Sequence, residues 1–168
     1  MTYIITHFKV LDHKSNDHFR LFEKMTIPTV VNQTNKNYKW YIYASSVFKT
    51  ELIKLTERYP QIECIFTEFL FEPKCEEPYC TVRLDNGHGL NPHFLQNIQK
   101  YKHDNQAIIT YSHGLKFALK MGDVELHEPV VTDDNKIGLC GIGINIYDYD
   151  YDSPNIIDKT PNMYYLFQ

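Results

Sequence analysis

The sequence contains no run of apolar residues approaching the 18 or more that a membrane-crossing helix needs. Its opening, Met1-Thr-Tyr-Ile-Ile-Thr-His7, lacks the basic segment followed by an apolar one that marks a secretory leader. The expectation is a cytoplasmic protein, or one of the host cytoplasm if the gene is viral. Positive charge is not in surplus either: 17 Lys and Arg stand against 21 Asp and Glu, a formal net charge of −4. A nucleic-acid binder neutralises phosphates with a basic face, so that class is set aside, although a local basic pocket is compatible with the balance.

Cysteine is scarce. The four residues Cys64, Cys75, Cys80 and Cys140 include one close pair, Cys75 and Cys80, with no second pair to complete a tetrahedral zinc site. A chain of 168 residues with 43% hydrophobic composition can bury a sufficient core without crosslinks, so all four thiols are expected to be reduced. The same numbers favour one folded domain over residues 1–168. Most of the eight histidines, His7 among them, are scattered without ligand spacing and read as ordinary surface or core residues.

Periodicity gives the order of elements. Residues 3–10 are β-branched and aromatic without clean alternation, as in a strand buried on both faces. Phe19, Phe22 and Met25 then recur at helical spacing, with Pro28 expected to kink or split the helix. Residues 38–44 read as a second strand, 50–59 as a short helix stopped by Pro60, and 61–66 as a third strand. This β-α-β-α-β order favours parallel strands, with 3–8, 38–44 and 62–66 as neighbouring inner strands and helices on both faces. Ligands in such sheets sit at the carboxyl ends of the strands, here near Thr6–Lys9 and Ala44–Ser46.

Further along, 79–84 is a short strand, and Asn91-Pro92 reads as a cap and first position of a helix with Phe94, Leu95, Ile98 and Tyr101 on its apolar face. Residues 106–111 and 115–119 look like a hairpin. The segment 137–146 is apolar and glycine-spaced without a clear state, and the last twenty residues show neither helical nor strand periodicity.

Between the strand ending at Leu84 and the helix after Asn91 lies Arg83-Leu-Asp-Asn-Gly-His-Gly-Leu90. A carboxylate at a strand's carboxyl end can hold a hard cation, glycines admit a diphosphate close to the backbone, and Arg83 can pair with a phosphate. Asp85-Asn86-Gly87 is equally the composition of a plain turn.

The stretch Phe22-Glu-Lys-Met-Thr-Ile-Pro-Thr-Val-Val-Asn-Gln-Thr34, followed by Tyr38-Lys-Trp-Tyr-Ile42, resembles rhamnosyltransferase-like glycosyltransferases. So do Arg83-Leu-Asp85, Leu90-Asn-Pro-His-Phe94 and the opening Thr6-His-Phe-Lys9. The resemblance covers about residues 3–120 and implies a single GT-A-like, Rossmann-like α/β domain with a mostly parallel central sheet and a short acceptor-side region. It implies a UDP-, GDP- or dTDP-sugar donor, a glycan acceptor, and a Mn²⁺ or Mg²⁺ ion held by a D-x-D motif.

That motif is degenerate here, with Asp85 kept, Gly87 at the second acidic position and His88 next. The metal candidates are Asp85 and His88, the imidazole being alternatively a solvent-facing or diphosphate-facing group. Thr6, Phe8, Ser45, Arg83, Asp85, Asn86 and Gly87 are the nucleotide-sugar candidates. A general base would come from acids beyond Gly114, with Asp123, Glu125 and Glu128 available, though these also fit a solvated acidic loop. The loss of motif acids keeps a second class open, a non-catalytic module of the same fold that binds nucleotide or glycan or serves as an interaction scaffold. Richness in Asn, Lys, Ile and Tyr fits an AT-rich microbial or viral genome.

Overall fold

A computed structural model describes residues 1–9, 15–67, 80–101, 107–111, 113–120, 123–131, 138–142, 155–158 and 164–167. The strands are β1 (Thr2–Phe8), β2 (Tyr38–Ala44), β3 (Ile62–Phe66), β4 (Cys80–Arg83), β5 (His88–Leu90), β6 (Ala107–Tyr111), β7 (His113–Lys120), β8 (Asp123–Val131), β9 (Gly138–Ile142), β10 (Asn155–Asp158) and β11 (Tyr164–Phe167). The α-helical segments are α1 (Ser15–Leu21), α2 (Ile27–Val31), α3 (Lys49–Thr56) and α4 (Phe94–Asn97).

A seven-stranded sheet has the order β10-β6-β9-β4-β1-β2-β3, and β9 alone among them runs against the others. The α/β fold with a mostly parallel sheet is thus as the element order implies. The sequence places β3 among the inner strands, but it is the outermost described strand on its side, and its partial exposure follows from that.

Alternation along the strands divides the sheet into two faces. Ile4, Phe8, Tyr38, Trp40, Ile42, Ala44 and Val82 join Phe22, Ile27, Val30, Leu52, Phe94 and Leu95 in one core. Tyr3, Ile5, Tyr41 and Tyr43 form a separate cluster. All described helices therefore pack on the first face. The cause is topological: β1, β2 and β3 step in one direction, and right-handed crossovers then fall on the same side. Trp40 anchors this core, wholly buried with its ring 5.6 Å from Phe22. Burial of one such side chain is worth about 1.5–3 kcal/mol, and an aromatic pair about 0.5–1.5 more.

Pro28 splits the first helical unit. It has no N–H to offer the carbonyl four residues back, and the chain widens into a π-turn over Phe22–Thr26, with the Ile27 N–H bonded to the Phe22 carbonyl.

The fourth helix starts later than its sequence indicates. It begins at Phe94 with His93 as its cap, not at Pro92 with Asn91 as the cap. The reason is Gln33, whose amide is inserted into the first turn. Its Nε2 donates to the Asn91 carbonyl at 2.6 Å, and its Oε1 accepts from the Leu95 N–H at 3.0 Å. The α-helical bond between those two groups is replaced, while the Asn91 side chain instead accepts from the His93 N–H at 2.9 Å.

The second half departs further from its sequence reading. Residues 107–111 and 113–120 are not a hairpin: β6 belongs to the large sheet and β7 to a second sheet of order β5-β11-β7-β8. β7 pairs instead with β8, antiparallel, so the acids read as a loop lie on a strand. The apolar glycine-spaced segment supplies β9, wedged between β4 and β6. The C-terminal residues supply β10 and β11. Cys64 and Cys80 are not in disulfides; Cys75 and the side chain of Cys140 lie outside what is described.

Candidate functional site

Strands β1, β2 and β3 end level with one another at Phe8, Ala44 and Phe66, whereas β4 ends earlier, at Arg83 in register with Ile5. Strand alternation decides which side chains can serve a ligand there. Thr6 and Phe8 point into the helix-covered core and offer a ligand no side-chain surface. The Thr6 hydroxyl accepts from the Trp40 indole at 3.0 Å, and the Phe8 ring lies 4.8 Å from Phe19 and 5.1 Å from Phe22. Their neighbours His7 and Lys9 take the opposite parity. The His7 ring stands edge-on to Tyr43 at 5.8 Å, and Arg83, whose backbone is in register with Ile5, shares that face. A polar i, i+2 pair at the end of an otherwise apolar strand is the sequence signal that could have identified His7 and Lys9.

Beyond β4 the chain stays beside β1, with the Leu84 N–H bonded to the Ile5 carbonyl at 3.0 Å. Asp85 is held from two sides. The Arg83 Nε donates to its Oδ1 at 3.4 Å, and the His88 Nδ1 lies 3.8 Å from its Oδ2. Asn86 and Gly87 make the turn, closed by the His88 N–H on the Asp85 carbonyl at 3.0 Å. Asn86 is itself buried, and its amide is occupied by the backbone of Lys9: Nδ2 donates to the carbonyl at 3.1 Å and Oδ1 accepts from the N–H at 3.4 Å. Its side chain thus ties the loop to the end of β1. His88 does not sit within a turn; it opens β5, paired antiparallel with β11.

Burial lowers the pKa of both histidines. For His7 the nearby positive charges of Lys9 and Arg83 add to the effect and Asp85 opposes it. For His88, Asp85 opposes the lowering and Arg83 reinforces it. Both imidazoles are consequently held toward the neutral state, chiefly by burial.

As a metal site the arrangement offers one carboxylate and one imidazole, and the carboxylate is shared with a guanidinium. Among the described residues no three metal-ligating side chains converge. Such a set is no all-protein cage for a cation, and a divalent ion there would take its remaining ligands from water and phosphate oxygens.

Ser45 is exposed at the end of β2, next to β1, and leads into a 3₁₀ turn over Ser46–Phe48. Asp123, Glu125 and Glu128 belong to β8, three strands from β5 in the second sheet. At strand spacing that separation is about 14 Å. Following register, His88 is level with Leu166, Leu166 with Lys116 and Lys116 with Glu128. Glu128 is therefore the acid brought level with the loop, and Glu125 and Asp123 lie progressively further along the strand.

The fold recurs in known proteins. A 349-residue piece of S. aureus TarS in complex with UDP-GlcNAc superimposes with a TM-score of 0.59 at 7% identity, over 99% of this chain and 58% of that one. This chain thus spans less than two thirds of that structure. HddC from Yersinia pseudotuberculosis gives 0.53 at 11% identity, covering 98% and 92% of the two chains. The 4-diphosphocytidyl-2C-methyl-D-erythritol synthase of Anaerococcus prevotii gives 0.52 at 9%, covering 96% and 88%. At these identities the likeness establishes the fold alone. No curated protein sequence matches significantly. The family model described as "putative rhamnosyl transferase" matches residues 9–158, most of the chain and all of the Asp85 loop. With that span matched, the chain belongs to the rhamnosyl transferase family.

Proposed function

We propose that the protein is a glycosyltransferase that binds the diphosphate of a nucleotide sugar at the carboxyl ends of β1 and β4 and transfers the sugar to a glycan hydroxyl. The observation that carries this reading is the contact of Arg83 and His88 with Asp85 on a loop whose Asn86 is tied to the backbone of Lys9, with His7 close enough to feel the charges of Lys9, Arg83 and Asp85. Family membership supports the reaction class, and the UDP-GlcNAc bound to a protein of the same fold supports a nucleotide-sugar donor.

In sugar transfer the acceptor oxygen bonds to the anomeric carbon as the bond from that carbon to the diphosphate breaks, and the hydroxyl proton passes to a base or to the departing diphosphate. Negative charge grows on the departing diphosphate, and fixed cations stabilise it most when they are positioned beforehand. Arg83 suits this role through its planar fork of donors, and Lys9 through a compact charge. The Gly87 backbone permits close approach of the phosphates. Asp85 orients Arg83 and is also placed to accept a ribose hydroxyl. A divalent cation contributes little on this account, because the protein's own cations neutralise the leaving group.

Gly87 at the second acidic position of the motif favours one other reading, a binding module without turnover. Calorimetric titration with UDP, GDP and dTDP, with Arg83→Ala alongside, tests the site. The variant should bind at least tenfold more weakly, the loss of about 1.4 kcal/mol or more expected of a charge-assisted phosphate contact. Equal affinity would remove Arg83 from the site. Binding without release of nucleoside diphosphate from any nucleotide sugar, in the presence of glycan acceptors, would favour the module.

A further inference from the structure

One face of the first helical unit directs its polar side chains onto a single segment of backbone. The Thr26 hydroxyl donates to the Asn86 carbonyl at 3.2 Å. The Thr29 hydroxyl accepts from the Leu90 N–H at 3.2 Å and donates to the Thr26 carbonyl at 2.8 Å. Gln33 bridges Asn91 and Leu95 as described, and its Nε2 also reaches the Thr29 carbonyl at 2.9 Å. Thr26 and Gln33 are fully buried, and Thr29 is half-buried.

Packing alone does not account for this choice of residues. Valine would fill either threonine position, and leucine would come close to filling that of Gln33, without polar atoms to satisfy. What the hydroxyls and amide add is direction, since each fixes a particular backbone group. The bonded groups bracket residues 87–89. Asn86 lies just before them and Leu90 just after, held by residues one helical turn apart on the same helix face. The π-turn before Pro28 belongs to the same arrangement, because it lets Phe22 pack under Trp40 while Thr26 faces Asn86.

We infer that Thr26, Thr29 and Gln33 are positioning residues of the donor site, holding Asn86 and Leu90 so that Asp85, Gly87 and His88 keep the spacing a diphosphate requires. The inference rests on the donor reading above, and its test separates the two. Thr29→Val keeps the shape and removes the oxygen, whereas Thr29→Ser keeps the oxygen and removes a methyl group. Amide hydrogen exchange is measured first without ligand. Thr29→Val should speed exchange at Gly87 and Gly89 while β2 stays protected as in the wild type, and Thr29→Ser should leave both as they were. Affinity for UDP, GDP and dTDP is measured next. Thr29→Val should lose about tenfold, the effect of one misplaced hydrogen-bonded contact, and Thr29→Ser should bind as the wild type does.

Unchanged exchange at Gly87 and Gly89 in Thr29→Val would overturn the inference, as would acceleration spread evenly over β2, which marks a merely structural loss. Wild-type affinity in Thr29→Val would overturn it as well. If the wild type itself binds none of the three nucleotides, the donor reading fails, and the exchange comparison alone decides whether the helix positions the loop.

Discussion

His7 and His88 stand on different strands, and burial holds the folded-state pKa values of both below their ordinary range. An unfolded chain returns them to about 6.5 and then binds protons more readily than the folded one. Stability is therefore complete above about pH 6.5 and is lost as pH falls toward the lowered folded values. Urea titrations at pH 7.5 and about 5.5 should show the wild type losing more stability than the double variant His7→Asn/His88→Asn. Identical losses would mean that neither imidazole is held neutral. The turn that follows Asp85 was legible in the sequence, because a strand end and an Asp-Asn-Gly run are local signals, whereas the strand that His88 opens was not. The identity of the site's other side chains was not, since Thr6 and His7 differ only in parity. Parity depends on which face the helices cover, and that is settled by Trp40 and Phe22 from elsewhere in the chain.

Among the elements, β5 is the one through which the two sheets meet the site. It continues directly from the Asp85 turn, and its partner is β11, near the end of the sequence, with Gly89 level with Tyr165. β11 also pairs with β7, so a residue within it serves a neighbour on one side or the other. Tyr165→Pro removes one ladder hydrogen bond and cannot restore it from solvent. Denaturant unfolding should show a loss of about 1 kcal/mol or more, and nucleotide affinity should fall with it, because His88 loses its frame. Undiminished stability and binding would show that β11 does not support the loop. Sequence reading missed this support because β11 is short and its pairing is non-local. The hairpin expected at 106–119 failed for a related reason: β6 and β7 are adjacent in sequence, yet each finds its partners in a different sheet. Helix α4 shows the same limit, for its start is set by Gln33, a residue 61 positions before Phe94.

At the scale of the whole molecule, the β-α-β-α-β order was sufficient to anticipate the parallel half of the sheet, since right-handed crossovers leave few alternatives. The proposed donor site holds a nucleoside diphosphate through Arg83, Lys9 and the Asp85 loop, with little help from a metal. Thermal unfolding with UDP, GDP, dTDP and their sugars, each with and without Mn²⁺, tests it most directly. A ligand at one hundred times its dissociation constant stabilises the fold by about 2.7 kcal/mol. For a domain of this size the melting temperature should rise by about 5–10 °C. The rise should be nearly the same with and without Mn²⁺, and smaller in Arg83→Ala. A rise that appears only with Mn²⁺ and vanishes in Asp85→Ala would contradict the metal-poor site, and no rise with any nucleotide, with or without the ion, would contradict the donor site itself.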